Sequence, residues 1–341
     1  MAKTSKMLNL ALQGGGAHGA LAWGILDKLL EDGRIHIDSI SATSAGAMNA
    51  VILAHGLATG GHEGARKSLF EFWRKVSESG DIFSPLKRNP FEELLGVHLE
   101  NTLSYHFFGL MSKLLSPYQF NPFNFNPLKD IVEQMVDFES IRCCNSVQLF
   151  VSATNVKTGK IKVFDNKNMS IEAVMASACL PFMFQAQQID DEYFWDGGYM
   201  GNPAIFPLIY NSNCRDILIV HINPIYRDAV PETAADILNR VNEISFNSSL
   251  MREMRAIAFV TDLIENGWIK DEYIPNLRKM NLHAIRADTT MESYSVASKL
   301  DPSWDFIEHL FEVGREKGDE WLKLNFKTIG KNSSINIREY L

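Results

Sequence analysis

The stretch MLNLALQGGGAHGALAWGILDKLLEDGRIHIDSISATSAGAMNAVILAH, residues 7–55, decides the fold. Residues 7–12 are apolar apart from Asn9 and read as a short buried strand. Gly14, Gly15 and Gly16 then open a turn that runs through Ala17 and His18 to Gly19. Residues 20–32 carry a helical pattern, and Gly33 is placed to close it, because a helix often ends on a residue that tolerates positive φ. Residues 35–41 read as a second strand. Residues 45–55 read as a second helix, with Met48, Val51 and Ile52 on one apolar face. Strand, turn, helix, strand, turn, helix is the start of a layered α/β fold with a largely parallel sheet.

Beyond this unit the chain changes character. Residues 65–77 are amphipathic, with Leu69, Phe72, Trp73 and Val76 at helical spacing. From Pro85 to about residue 128 the sequence is aromatic and proline-rich, so residues 60–128 read as an insertion over the sheet edge. Two readings of it stand: a satellite hydrophobic cluster beneath a long loop, or a lid that meets an apolar substrate or lipid surface. Strands are predicted at 147–154 and 161–164 as a hairpin, at 193–196, at 216–222 and at 282–287. Helices are predicted at 171–179, at 232–266 and around 305–317. Leu238, Val241, Ile257, Val260 and Ile264 are the predicted core of the 232–266 helix, and Asn247-Ser248-Ser249 is its weakest stretch.

Composition limits the function classes. Lys plus Arg is 33 against 41 for Asp plus Glu, a net charge of −8, which argues against a nucleic-acid binder. Cys143, Cys144, Cys179 and Cys214 show no metal-ligand spacing and read as reduced, mostly buried thiols. The apolar run after Lys3 and Lys6 is too short for a signal peptide, and prolines interrupt the uncharged stretch 114–128. The expectation is a protein with neither a classical signal peptide nor a transmembrane helix, cytoplasmic or peripheral to a membrane.

Two turns carry the chemistry. The first satisfies G-x-G-x-x-G, but a dinucleotide site also wants an acid at the end of the second strand. There the chain has Ser41-Ala42-Thr43-Ser44-Ala45-Gly46 instead. Ser44 sits where a strand passes sharply into a helix, with small neighbours, as at a nucleophile elbow. Its bland alternative is a helix N-cap. Consecutive N–H groups of Gly15, Gly16 and Ala17 can form an anion-binding nest, which beside a serine nucleophile is an oxyanion hole. The best candidate base is Asp196, in Trp195-Asp196-Gly197-Gly198, whose alternative is an Asp-Gly turn.

Taken together, residues 14–19, Thr43-Ser44-Ala45-Gly46-Ala47, Ala176-Ser177-Ala178-Cys179-Leu180-Pro181 and Asp196-Gly197-Gly198 resemble the patatin-like phospholipases. The resemblance covers roughly residues 7–224. It implies a patatin-like three-layer α/β/α fold, with a central mostly parallel sheet and a helical, aromatic insertion. It also implies a metal-free, cofactor-free Ser–Asp dyad that cleaves fatty-acyl esters. Ser44 would be the nucleophile, Asp196 the general base, and Gly14, Gly15, Gly16 and Ala17 the oxyanion turn. His18, Gly19, Ala42, Gly46, Gly197 and Gly198 would support these motifs.

Two departures stand out. The family usually has glycine where this chain has Ala42, and often Arg or Lys where it has His18. Alanine is tolerated if its φ stays negative, and His18 would supply charge only when protonated. A Ser44–Asp196–His221 triad is the mechanistic rival, in the serine, acid, histidine order. The expected organisation is a catalytic core over residues 7–224 and a mainly helical extension over 225–341, packed on the core. The expected partners are a lipid or other acyl ester and a peripheral membrane contact, without nucleic acid. The alternatives are a lipid-binding or scaffold protein on an impaired fold, or an esterase, thioesterase or polyester depolymerase with the same dyad.

Overall fold

A strand that is apolar on both faces has to be covered on both. In β1 (Lys6–Leu12), Leu8, Leu10 and Leu12 turn to one face and Asn9 and Ala11 to the other, and all five are fully buried. β2 (Ile35–Ala42) and β7 (Asp216–Val220) flank β1, both parallel to it. β3 (Gln148–Asn155) is parallel to β2, and β8 (Asn281–Ile285) is parallel to β7. β4 (Ile161–Asp165) and β6 (Glu192–Asp196) run antiparallel to β3, and β5 (Gln187–Ile189) antiparallel to β6. Hydrogen-bonded neighbours run β5-β6-β3-β2-β1-β7-β8, with β4 on β3. The structure is a computed structural model and describes residues 5–83, 102–143, 146–270, 272–273 and 277–341.

Helices cover both faces of the sheet. One core joins Leu8, Leu10 and Leu12 to α1 (Gly19–Asp32), α2 (Ala45–Phe83), α3 (Ile171–Ser177) and the C-terminal helix α5 (Trp304–Asn325). The other joins Ala11, Ile217 and Ile219 to Leu250, Met254 and Ile257 of α4 (Ala234–Glu265). The layers are therefore helix, mostly parallel sheet, helix, as the sequence pattern implies.

The differences in detail have physical causes. The helix expected at 45–55 continues to Phe83, broken at Gly60 and Gly61, where Gly61 takes φ +60°. The amphipathic stretch 65–77 is thus the second arm of α2, with Leu69, Phe72 and Trp73 buried. Further helices span Leu103–Leu114 and Pro127–Met135. A short helix at Pro117–Phe120 lies between them, and residues 84–101 of the expected insertion lie outside the described residues, as does Cys144. Cys179 and Cys214 are buried free thiols, whereas Cys143 is exposed. Leu238 and Val241 are not core: they are 66% and 58% exposed. The buried face of α4 runs instead through Glu243, Phe246, Leu250, Met254 and Ile257, and the first two turns lie off it.

Helix α5 presses on α1 at a glycine contact. A Cβ on Gly24 would overlap the Phe311 carbonyl, and one on Gly314 the Leu21 carbonyl. Trp23 stacks on Phe311 with ring centroids 3.9 Å apart, and Arg315 and Arg66 both bond to the buried Asp27 of α1. Both clashing atoms are backbone, so relief requires the helices to separate. Helix propensity favours alanine over glycine by about 1 kcal/mol, whereas overpacking costs about 1–3 kcal/mol. Gly24→Ala is expected to lower unfolding free energy by roughly 2 kcal/mol in a urea titration. A stabilised variant would show that the crossing is looser than its geometry.

Candidate active site

Register brings two distant turns together. On β3, Phe150 and Val151 pair with both β2 and β4, so these two occupy opposite edges. Ala153 and Thr154 pair with both β4 and β6, so β6 lies on the same edge as β2. β2 is parallel to β3 and β6 antiparallel, so their C-terminal ends meet head to head. Ala42 is opposite Val151, and Asp196 is opposite Ala153. Thr43 and Ser44 therefore leave the sheet where Asp196 and Gly197 arrive. A Cβ on Gly197 would touch the Ser152 backbone and the Thr43 methyl group.

Ser44 has φ 56°, in the left-handed region that a side chain rarely adopts. The turn is held on all sides. Ser44 N donates to Ser177 Oγ (2.9 Å), Gly46 N to Thr43 O (2.9 Å) and Thr43 Oγ1 to Gly201 O (2.6 Å). A Cβ on Gly46 would strike the carbonyls of Leu12 and Gln13. Ala42 is an ordinary strand residue outside the positive-φ region, so the methyl in place of the usual glycine meets no backbone penalty. Ser177, whose motif gave no hint of its part, is the acceptor that fixes the Ser44 amide.

The glycine turn is held by buried amides. Gly14 N donates to Asn202 Oδ1 (2.7 Å), and Asn223 Nδ2 donates to Gly14 O (3.0 Å). Gln13 Oε1 accepts from Ile222 N and Asn223 N, while Gln13 Nε2 donates to Asn247 Oδ1 (2.9 Å). Gly16 takes φ +59° with the Lys299 carbonyl packed against it. Among the described residues the N–H groups of Gly15, Gly16 and Ala17 have no acceptor, and all three residues line a pocket. His18 departs from the expectation. It is buried, its Nε2 lies 2.7 Å from Ser298 Oγ, and burial holds its pKa well below the usual value. It is neutral and supplies no charge to the turn.

Asp196 is fully buried. Its backbone N donates to Cys179 O (2.8 Å), and Oδ1 accepts from Gly198 N (2.7 Å). Oδ2 has no partner at hydrogen-bonding distance among the described residues. Burial raises the carboxyl pKa to about 6, against the opposing pull of the Gly198 N–H, the Ser44 hydroxyl and the Lys299 charge. The Ser44 hydroxyl is thus near enough to favour the ionised form, although no Ser44–Asp196 hydrogen bond is closed. Burial also pushes the neighbouring Cys179 thiol up to about 12, so it stays protonated.

Ser44, Asp196, Gly15, Gly16 and Ala17 share one pocket of about 370 Å³. Its walls are chiefly apolar, with Met48, Phe72, Trp73, Leu128, Leu180 and Phe246 among them, and among the described residues Lys299 is its one ammonium. His221 does not line this pocket. Its Nε2 meets Tyr340 Oη at 2.9 Å, and burial lowers its pKa to about 3, so the triad rival finds no support in the geometry. A second serine–histidine–carboxylate chain, Ser334, His283 and Asp216, sits at the start of β7 and β8. Asp216 also accepts from Gly330 N, so this chain ties the C-terminal segment to the sheet. Sequence reasoning missed Asn202, Asn223, Asn247 and Lys299. The signals were the Asn-Pro that comes after the Asp-Gly-Gly turn, and polar residues inside a helix, where Asn247 and Ser249 are in fact buried.

Among the described residues no group of three or more His, Cys, Asp or Glu is disposed to hold a metal, and no helix is long and apolar enough to cross a membrane. The patatin-like phospholipase family model matches residues 10–209. A cGAMP-activated phospholipase of Escherichia coli (strain TW11681) is 27% identical over 252 residues, which is 64% of this chain and 62% of that protein. Among solved structures, VipD from Legionella pneumophila is 17% identical with a TM-score of 0.41, over 94% of this chain and 67% of that one. ExoU of Pseudomonas aeruginosa, in its complex with SpcU, is 14% identical with a TM-score of 0.34, over 95% of this chain and 52% of that one. With the family model matching more than half its length, the chain belongs to the patatin-like phospholipase family.

Proposed function

We propose that the chain is a serine-dependent lipid acyl hydrolase of the phospholipase A or lysophospholipase type, working through a Ser44–Asp196 dyad. The observation that carries this reading is the pairing of a left-handed Ser44 with an unpartnered Asp196 Oδ2 at the head-to-head strand ends of one pocket. Asp196 accepts the hydroxyl proton while Ser44 Oγ attacks the ester carbonyl. The developing oxyanion is met by the N–H groups of Gly15, Gly16 and Ala17, and by the N-terminus of α2. Collapse expels the alcohol with the proton held by Asp196. Water then attacks the acyl-enzyme, again with Asp196 as base, and frees the fatty acid. The apolar walls suit an acyl chain.

The rim supports contact with a lipid surface. Residues 121–128 border the pocket through Asn126, Pro127 and Leu128, and dock on the neighbouring loop where Gln185 Nε2 donates to Asn121 O (2.9 Å). That rim carries Phe123, 94% exposed, and the loop it docks on carries Phe182, 68% exposed. Large aromatics held in water beside an apolar pocket are placed for a bilayer interface.

Four experiments test the reading. Ser44→Ala should abolish fluorophosphonate labelling, and Asp196→Asn should lower kcat/KM by at least ~10³-fold, each with an unchanged Tm. Because Asp196 works ionised and its pKa is about 6, kcat/KM of the wild type should fall as pH drops through that value. Labelling that survives Ser44→Ala would end the assignment. Separately, the double change Phe123→Ser, Phe182→Ser should cut hydrolysis of phospholipid vesicles about tenfold while sparing a soluble short-chain ester. Equal loss on both substrates would reduce the aromatic rim to a stabilising role.

A further inference from the structure

The neutral His18 leaves the glycine turn without a cation of its own, yet a cation is present. Lys299 enters the pocket from the C-terminal region, more than a hundred residues after Asp196 in the chain. Its Nζ donates to Asn223 Oδ1 (2.7 Å) and to Asn242 Oδ1 (2.9 Å), and lies 5.2 Å from the Phe246 ring centroid. Asn223 in turn holds the Gly14 carbonyl, and the Lys299 carbonyl packs on Gly16. One residue thus braces the turn from two sides.

Charge balance gives it a second part. Among the described residues Lys299 forms no ion pair, and both its hydrogen-bond partners are neutral amides. The carboxylates that act on it are Glu243 and Asp196. Glu243 is already clamped by Arg227 and by Arg240 at 3.0 Å. Among the described residues Asp196 has no arginine or lysine at bonding distance, and its other titratable neighbours, Cys179 and Tyr199, are both raised and so neutral near pH 7. An ammonium out of water needs a countercharge, and the dyad carboxylate is the one left over.

Building on the Ser44–Asp196 reading, we propose that Lys299 is the positioning residue of this active site: it fixes the oxyanion turn through Asn223 and provides the positive charge that keeps the Asp196 base ionised. Burial brings the Lys299 pKa down to about 8, so this charge is present at neutral pH and lost above it. Loss of the cation removes a force that lowers the Asp196 pKa, so the carboxyl titrates at higher pH without it.

The test is the pH dependence of kcat/KM on a soluble short-chain ester for wild type, Lys299→Gln and Lys299→Arg, with Tm and fluorophosphonate labelling of Ser44 measured on each. The wild type should give an acid limb near pH 6 and a plateau above it. In Lys299→Gln the acid limb should move upward, with a loss of about twofold near pH 6 that fades by pH 8. Lys299→Arg should keep the acid limb where the wild type has it, because a guanidinium carries the same charge. An acid limb in Lys299→Gln that stays where the wild type has it overturns the proposal. So does a Lys299→Gln loss that is uniform with pH and tracks a lower Tm. Wild-type enzyme that hydrolyses ester without labelling at Ser44 removes the underlying dyad, and the proposal with it.

Discussion

The parallel register of β1 with its two neighbours is the constraint on which the site depends. Leu12 lies opposite both Ala42 and Val220, so the strands of this triplet end at one level. The residues that leave each strand are then brought together: the glycine turn after β1, Ser44 after β2, and Ile222 and Asn223 after β7, which contact that turn. Ligand sites in open α/β sheets form at such carboxyl edges for this reason. The antiparallel β6 adds what parallel strands cannot: a chain arriving at that edge from the opposite direction, with Asp196 at its tip.

That geometry creates a polar problem inside an apolar core. Turns at a buried sheet edge leave backbone groups that water does not reach, and each one left unpaired would cost about 1–3 kcal/mol. Gln13, Asn202, Asn223 and Asn247 answer it. Their amides supply donors and acceptors together, so one side chain satisfies two orphans. Gln13 alone spans the Ile222 and Asn223 amides, the Asn202 carbonyl and the Asn247 side chain. The N–H groups left over, at Gly15, Gly16 and Ala17, are those that face the pocket. An oxyanion would complete a network otherwise nearly closed.

Distance along the chain set how much of this was legible in the sequence. Local signals were read correctly: apolar runs gave the strands, Gly33 closed its helix at φ +70°, and the small residues around Ser44 marked a sharp strand-to-helix turn. The convergence of Ser44 and Asp196 required register on β3, which no local pattern encodes. Leu238 and Val241 misled because helical periodicity reports a face, not what covers it. Asn247 shows in the sequence only as part of the weakest stretch of its helix. A polar residue in a helix is ordinarily a solvated one, and only the packing of α4 on the carboxyl edge turns it inward.

Lys299 was the hardest to see, and the reason is mechanical. The segment that carries it has no motif and makes a single short helical turn, Val296–Leu300. It is held by what it touches: Gly16 against the Lys299 carbonyl on one side, Gly80 of α2 against Pro302 on the other. Side chains at Gly16 or Gly80 would push the segment off the pocket. These glycines therefore serve more than their own turns: they also set where the last part of the chain can lie. Helix α5 begins just beyond, at Trp304, and its glycine contact with α1 fixes the far end of the same strap. Since α1 starts at Gly19, directly after the glycine turn, strap and turn are two ends of one rigid loop of contacts. A displacement of the C-terminal helix would be felt at the pocket as well as in the sheet, whose core it shares.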